Sequence, residues 1–356
     1  VILFMGVALV LMTVLLLLTK PIVTVMSTPQ EAVMGTISYL TICFIGIPFI
    51  TAYNIISAIF RGMGDSKSPM YFIAIACAAN IVLDYVFIGG LHLGPAGAAL
   101  GTTCAQAVSV VISLCMIIRQ RKELALSRKD FRLSHNIMGQ ILKIGIPIAL
   151  QDGFIQVAFM IITIIANQRG LNDAAAVGIV EKIISFLFLI PSSMLSTVSA
   201  LGAQNIGAGK RQRANETLRY AVLITVGFGI IVGIFMQFFA SPVVALFTDT
   251  SDAQGAEVVR LGGQYLRGYV WDCMFAGIHF SFSGYFCACG KSGISFLHNI
   301  IAITLVRIPG VYLASTLFPD TLFPMGLATA AGSLLSAIIC VAAFTILNRK
   351  EKMKKD

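Results

Sequence analysis

The sequence predicts an all-α polytopic membrane protein that folds as two pseudo-symmetric helical-bundle lobes. Hydrophobic residues make up 57% of the 356 residues and charged residues only 12%, a balance that does not suit a water-soluble domain of this length. Apolar stretches of about 20 residues, the length that crosses a hydrocarbon core, recur along the whole chain. Short motifs of the first part also recur in the same order in the last part, which indicates two related lobes.

We expect ten membrane spans, each an apolar stretch bounded by basic or Gly/Pro-rich connections. Several exceed one bilayer crossing, so they must tilt or protrude. Because the sequence begins inside an apolar run, without a basic segment or a cleavage site, we expect no signal peptide and a missing preceding part. The spans are placed at about 1–26, 33–60, 68–90, 95–118, 139–168, 173–204, 215–247, 257–287, 292–316 and 323–348.

The net charge of +9 comes from basic residues whose positions follow the predicted membrane topology. Basic residues concentrate in alternate connections, whereas the intervening connections hold only Arg169 and several acids. This distribution predicts a multi-pass protein of the cell (plasma) membrane with a cytoplasmic C-terminus. We therefore expect the lipid bilayer as a partner and no nucleic acid. The eight cysteines lie almost entirely within spans and lack zinc spacing, so neither a zinc site nor disulfides are expected.

Internal repeats relate the two ends of the chain. Asn80-Ile-Val in span three matches Asn299-Ile-Ile in span nine, and Pro95-Ala-Gly in span four matches Pro324-Met-Gly in span ten. Spans one to four thus correspond to spans seven to ten, and spans five and six would need a helix pair before residue 1 as partners. The expected organisation is an N-lobe remainder at 1–118, a cytoplasmic inter-lobe linker at 119–138, a C-lobe at 139–348 and a basic cytoplasmic tail at 349–356.

Several motifs resemble the multidrug and toxic compound extrusion (MATE) family. They are Phe60-Arg-Gly-Met-Gly-Asp-Ser-Lys-Ser-Pro69, Asn80-Ile-Val-Leu-Asp84, Gly94-Pro-Ala-Gly-Ala-Ala-Leu-Gly-Thr102, Ile144-Gly-Ile-Pro147 and Ala203-Gln-Asn-Ile-Gly-Ala-Gly-Lys210. The resemblance covers essentially all of the chain. Family members have twelve helices, so the ten spans would be helices three to twelve, with the first two lacking. The resemblance implies cation- or proton-coupled antiport that exports organic, often cationic and amphipathic, compounds by alternating access. We expect small organic substrates and a monomer.

The resemblance also implies a coupling site in the first lobe. In the proton-coupled branch of the family, an Asn-x-x-x-Asp motif and a threonine on the next helix share this role, and Asn80, Asp84 and Thr102 occupy those positions. Asn80 and Asp84 are four residues apart and lie on one helical face. Their oxygens could bind Na⁺, or Asp84 could carry a proton. A structural hydrogen bond between helices is the alternative. No cofactor is expected, and no metal beyond this Na⁺.

The second lobe carries its own charges at membrane depth. Where some family members have acidic residues on helices seven and ten, this chain has Ile155 or Gln156 and Ala276, with Asp152 and Asp272 about one turn earlier. The charges at membrane depth, which include Arg267, sum to zero. We therefore expect a polar network lining a substrate cavity, with fixed ion pairs near helix ends as the alternative. The candidates are Asp152, Gln156, Glu181, Lys182, Asp272 and Arg307. His279 and His298 are expected to be structural.

Two prolines are candidate hinges for closure of the lobes. Pro147 and Pro191 interrupt spans five and six, and each frees a backbone carbonyl that must face protein or a watery cavity. Fixed kinks are the alternative.

Rival functions have less support in the sequence. The chain has no nucleophile motif or phosphate-binding loop, so we expect no enzyme. The alternative to efflux is a lipid-linked oligosaccharide flippase with the same broad two-lobe architecture. A passive channel would explain neither the repeat nor the intramembrane carboxylates. The sequence thus favours an antiporter coupled to Na⁺ or H⁺.

Overall fold

Helices form almost all of the regular structure in the computed structural model, which describes residues 1–25, 30–119, 134–249 and 252–352. The chain divides into two compact units, unit 1 at Val1–Met138 and unit 2 at Gly139–Asp356. The predicted linker at 119–138 lies mostly outside the described residues, as does the end of the predicted tail. The described part of the linker is already helical from His135, and the last helix continues to Lys352.

The described residues of unit 1 form four long helices before the next helix begins at His135. Helices α2 and α3 both pack against α4, and α1 packs against α2. An edge-to-face contact between Phe60 and Phe72, with ring centroids 5.6 Å apart, joins α2 to α3 in the core of the unit. The helices are α1 (Ile2–Val25), α2 (Gln30–Gly62), α3 (Lys67–Asp84), which continues into a π-helical turn (Tyr85–Gly90), and α4 (Gly94–Arg119).

The start of α3 explains part of the first family-like motif. The Asp65 carboxylate accepts hydrogen bonds from the backbone amides of Lys67 and Ser68, at 3.0 Å each, and from the Ser68 hydroxyl at 2.5 Å. These bonds satisfy amide groups that lack a partner in the first turn of a helix. The Ser68 hydroxyl and backbone bonds also lower the pKa of Asp65. Asp65 therefore caps a helix.

Unit 2 begins within α5 (His135–Arg169), and its described residues form eight further α-helices and one π-helical turn. In chain order, the elements after α5 are α6 (Leu171–Leu187), α7 (Leu189–Gly207), α8 (Arg211–Ala245), α9 (Ala253–Tyr269), α10 (Asp272–Ala288), α11 (Ser292–Ala302), a π-helical turn (Ile303–Arg307), α12 (Ile308–Leu317) and α13 (Phe323–Lys352). Seven of these ten elements form three longer segments: α6 with α7, α9 with α10, and α11 with its π-helical turn and α12. Breaks within these segments are two residues or fewer.

Helix α10 is the centre of unit 2. It packs against α7, α8, α11 and α13, and most of its side chains are buried. Small residues permit this close packing: a Cβ atom on Gly284 would lie 2.5 Å from the carbonyl oxygen of Leu195. Small residues at helix interfaces are the usual means of close packing in membrane bundles. The buried surroundings of α10 make it the scaffold on which the site of unit 2 is built.

Nine helical segments of the described residues are long and apolar enough to cross a membrane. The predicted span at 257–287 differs from the rest, because α9 and α10 are 17 residues each and are separated at Val270–Trp271. Both residues keep right-handed helical dihedrals, so the chain makes a tight irregular turn there. The multi-pass membrane architecture predicted from the sequence is confirmed.

Candidate functional site

Unit 2 contains a cavity of about 470 Å³. Apolar and aromatic side chains form its walls, and a few polar and charged groups converge on it, as in many small-molecule sites. The cavity is lined by Asp152, Ile155, Gln156, Phe159, Ser185, Phe188, Ser192, Leu195, Ser196, Asp272, Ala276, His279, Phe280, Asn299, Arg307 and Ser333.

Irregular helix geometry positions the two buried charges of this cavity. Asp272 is the first residue of α10, directly after the turn at Val270–Trp271. Arg307 is the last residue of the π-helical turn between α11 and α12. Gly332 of α13 faces Arg307, since a Cβ atom on this glycine would lie 2.8 Å from the Cβ atom of the arginine. Interruptions of this kind are frequent at functional sites, because they redirect side chains out of the regular helical pattern.

Arg307 and Asp272 form a buried ion pair. The Nη2 atom of Arg307 donates to Oδ2 of Asp272, and their side chains are 9% and 0% exposed. The Arg307 guanidinium also lies 5.7 Å from the centre of the Phe159 ring, a cation–π contact. Each partner compensates the charge of the other in an environment where an isolated charge would be costly.

Several buried polar atoms around the cavity have no hydrogen-bond partner among the described residues. They are Oδ1 of Asp272, Nε of Arg307, Nδ1 of His279 and Nδ2 of Asn299. All four residues line the cavity, and each is at most 8% exposed. Buried polar groups are normally paired with protein, water or ligand. The cavity therefore offers donors and an acceptor to whatever occupies it.

Asp152 and Gln156 of α5 also line the cavity. Both side chains are exposed, and Asp152 takes part in no salt bridge within the described part of the chain. Asp152 is therefore a carboxylate that can meet a positively charged ligand.

The other two members of the expected network lie elsewhere. Glu181 accepts from the Thr163 hydroxyl at 3.3 Å, and Lys182 is exposed. Neither residue lines the cavity. The structure thus brings together Asp152, Gln156, Asp272 and Arg307, and it leaves Glu181 and Lys182 outside that group.

Two histidines belong to the surroundings of the cavity, although no spacing in the sequence singled them out for function. His298 contacts the Ser336 hydroxyl through Nδ1 at 2.6 Å and the Ser283 hydroxyl through Nε2 at 2.9 Å. His279 lies beside it, with ring centroids 5.6 Å apart, and lines the cavity. Asn299 was also missed as a site residue. Its only signal in the sequence was the repeat that pairs it with Asn80.

The first unit holds the expected coupling residues at the end of α3. Asn80 donates to Asp84 Oδ1 at 3.3 Å, and Asp84 directly precedes the π-helical turn at Tyr85–Gly90. Gly101 of α4 faces this carboxylate, because a Cβ atom there would overlap Asp84 Oδ1. Asn80 and Thr102 also line a small cavity of about 100 Å³. The Thr102 hydroxyl donates to the carbonyl of Ala98 at 3.1 Å, so its contact is within its own helix.

The two candidate hinges have different surroundings. Pro147 lies within α5, which continues through it. Pro191 is buried in the first turn of α7, three residues after Phe188, where α6 and α7 are separated. A proline cannot donate to the carbonyl of the preceding turn, which accounts for a break at this point.

Comparisons with known proteins agree with this architecture. The MatE family model matches residues 1–86 and 147–313. Among curated relatives, the probable multidrug resistance protein YpnP of Bacillus subtilis is 28% identical over 298 residues, 84% of this chain and 65% of that protein. The multidrug export protein MepA of Staphylococcus haemolyticus is 26% identical over 342 residues, 95% of this chain and 72% of that protein. The chain therefore spans about two thirds of the length of the first relatives that it matches.

Solved structures share the fold. An outward-facing multidrug resistance MATE family transporter of the MOP superfamily superimposes with a TM-score of 0.90 at 22% identity, over 100% of this chain and 78% of that one. A MOP superfamily transporter from Pyrococcus furiosus gives a TM-score of 0.87 at 22% identity, over 95% and 75% of the two chains.

Proposed function

We propose, from the premise that the chain belongs to the MatE family of transporters, that it is an antiporter that exports organic, often cationic and amphipathic, compounds across the membrane by alternating access. Its coupling ion is Na⁺ or H⁺. It has no cofactor and is not an enzyme. We place it as a monomer in the plasma membrane with its C-terminus in the cytoplasm, where the basic connections also lie.

The observation that carries this proposal is the cavity of unit 2. It combines aromatic walls, including Phe159, Phe188 and Phe280, with the carboxylate of Asp152. Aromatic faces and a carboxylate both attract an organic cation, and apolar walls accept many shapes. The cavity volume of about 470 Å³ is in the range of small-molecule sites.

Coupling is assigned to Asn80 and Asp84 in unit 1. A cation or proton that reaches Asp84 neutralises its charge, and this changes the relative stability of the two access states. A charge that crosses the membrane with the potential contributes about 2.3 kcal/mol per 100 mV, in addition to any ion gradient. The Asn80 amide, which donates to Asp84 Oδ1 at 3.3 Å, orients the carboxylate.

The flippase alternative has no observation in its favour. A pyrophosphate-linked substrate would call for several basic side chains in the cavity. Within the described part of the chain, Arg307 is the basic side chain that lines it, and Asp272 already pairs with Arg307. The curated relatives reported above carry names of multidrug resistance and export proteins.

The test is ethidium efflux from energised cells that express the full-length protein, at matched membrane abundance. Asp84→Asn and Asp152→Asn should each abolish most efflux, the first through coupling and the second through substrate binding. Glu216→Gln is the matched control, because it makes the same change at an exposed carboxylate outside both sites. Wild-type efflux in both aspartate variants would overturn the proposal. Wild-type efflux in Asp84→Asn alone would overturn only the assignment of coupling to unit 1.

The coupling ion is identified in proteoliposomes. Imposed Na⁺ and pH gradients are applied separately, and uptake or release of ethidium is followed. The gradient that drives transport identifies the ion, and transport under neither gradient would contradict antiport.

A further inference from the structure

The innermost polar groups of the unit 2 cavity are Asp272, His279, Asn299 and Arg307, here called the polar floor. We infer that the polar floor binds an uncharged hydrogen-bonding group of the substrate, such as a carboxamide, while Asp152 binds its positive charge. This inference rests on the proposed function, because it names the substrate class for the same cavity.

The unpaired atoms of the polar floor support this assignment. Nε of Arg307 and Nδ2 of Asn299 are donors without a partner among the residues that the structure describes. Oδ1 of Asp272 is an acceptor that no described side chain meets in hydrogen-bond geometry, although the Ser333 hydroxyl lies near this carboxylate. A buried donor or acceptor without a partner costs about 1–3 kcal/mol. Since these atoms belong to side chains that line one cavity, a single group with both a carbonyl oxygen and an N–H could satisfy several of them.

The charge of the polar floor favours an uncharged group over a carboxylate. Arg307 is already paired with Asp272, so the two charges cancel. A carboxylate placed beside Arg307 would also lie beside Asp272, and two like charges in a low-dielectric site repel each other. A carboxamide accepts from Arg307 or Asn299 and donates to Asp272 without adding charge.

Asp152 gives the cavity its selectivity for a positive charge. It lines the same cavity but belongs to no salt bridge within the described ranges. The lining residues Asp152, Asp272 and Arg307 together carry one more negative than positive charge when ionised. A monocation with an uncharged polar end therefore matches both the charge and the hydrogen-bonding groups of the cavity.

The comparison with unit 1 argues against a purely structural role for Asn299. Its repeat counterpart Asn80 uses its amide to donate to Asp84, a residue on the same helix. The Asn299 amide nitrogen makes no such bond with the described residues, although Asn299 is only 4% exposed. An amide retained only for helix packing would be expected to pair within the bundle.

The experiment measures binding of three matched phosphonium compounds, two cations and one zwitterion, to the purified full-length protein. The probes are benzyltriphenylphosphonium ions with a methyl, a carbamoyl or a carboxylate group at the 4-position, and each competes against tritiated tetraphenylphosphonium. The carbamoyl probe should bind about tenfold more tightly than the methyl probe, and the carboxylate probe should bind more weakly than the carbamoyl probe. Asn299→Ala should reduce the preference for carbamoyl over methyl about fivefold.

The outcomes separate the inference from the proposed function. Displacement of the radioligand by none of the probes would overturn the proposed cation site itself. Equal affinities of the carbamoyl and methyl probes would overturn the inference alone, because water would then satisfy the polar floor as well as the ligand does. A carboxylate probe that binds most tightly would also overturn it. If Asn299→Ala does not fold, Asn299→Leu keeps the branching at Cγ without hydrogen-bonding atoms and is held to the same prediction.

Discussion

In unit 1, the helix that carries Asn80 ends in a π-helical turn at Tyr85–Gly90, and in unit 2, the helix that carries Asn299 ends in a π-helical turn at Ile303–Arg307. A charged residue adjoins each turn, Asp84 before the first and Arg307 at the end of the second. A glycine of the next long helix faces each charge, Gly101 in unit 1 and Gly332 in unit 2. The repeat thus extends from sequence motifs to a local backbone feature.

The two charges differ in their surroundings. Asp84 is partly exposed and receives one hydrogen bond from Asn80. Arg307 is buried, paired with Asp272 and in contact with the Phe159 ring. The same backbone feature can therefore present an accessible carboxylate in one unit and a compensated ion pair in the other. We expect the first to bind and release an ion and the second to hold a cavity in shape.

The largest expected effect follows from breaking the ion pair. Arg307→Met leaves the Asp272 carboxylate buried without a partner and should destabilise the protein by about 3–5 kcal/mol. Asp84→Asn removes a partly exposed charge and should change stability by less than ~1 kcal/mol. Unfolding in mixed SDS micelles, followed by circular dichroism, measures both. The double variant Arg307→Met with Asp272→Leu should recover most of the loss, since no unpaired charge remains. Equal effects of Arg307→Met and Asp84→Asn would remove the distinction between the two units.

A smaller effect is expected at the two facing glycines. A Cβ atom at Gly332 would meet the Cβ and Cα atoms of Arg307 at 2.8 and 3.3 Å, so the backbone must move, and Gly332→Ala should cost about 1–3 kcal/mol. At Gly101, the atoms met first are the carboxylate of Asp84, which can rotate away. Gly101→Ala should therefore leave stability nearly unchanged and reduce efflux, because the carboxylate leaves its position beside Asn80. A larger stability loss at Gly101 than at Gly332 would contradict this order.

A modest effect is expected at the cap of α3, which has no counterpart in the described part of unit 2. The corresponding connection between α10 and α11, Cys289-Gly-Lys-Ser, contains no acidic residue. Asp65→Ala should destabilise unit 1 by about 1 kcal/mol. Hydrogen bonds from Ser68 lower the pKa of Asp65 in the folded state. Because the folded pKa lies below the unfolded one, the cap contributes stability above the unfolded pKa of about 3.9 and loses it as the pH falls through the folded pKa.

The measurement is the difference in unfolding free energy between wild type and Asp65→Ala at pH 7 and at pH 3. The difference should be constant near neutrality and shrink in acid. A difference that grows in acid would mean that Asp65 does not act as an ionised cap.

Much of the architecture could be predicted from the sequence, because apolar length and loop charge report directly on membrane spans. The family was also predictable from motifs such as those around Asp65 and Asp84. The local irregularities of the helices could not be predicted from the sequence. The helices on both sides of the turn at Val270–Trp271 and the π-helical turn at Ile303–Arg307 pack against α13, and hydropathy does not report such packing.

The cavity was predictable only in part. Asp152, Asp272 and Arg307 stood out because charges are rare at membrane depth. Nothing in their spacing distinguished them from Glu181 and Lys182, since which side of a helix faces a cavity depends on the neighbouring helices. Asn299 and His279 carry no charge and so gave no such signal.

The most direct test compares binding with transport in Asp84→Asn and Asp152→Asn. Binding of tritiated tetraphenylphosphonium to the purified full-length protein is measured beside ethidium efflux from cells. We expect Asp152→Asn to weaken binding about tenfold and Asp84→Asn to leave binding within about twofold of wild type while efflux is lost. Weakened binding in Asp84→Asn together with wild-type binding in Asp152→Asn would contradict the assignment of substrate recognition to unit 2 and coupling to unit 1.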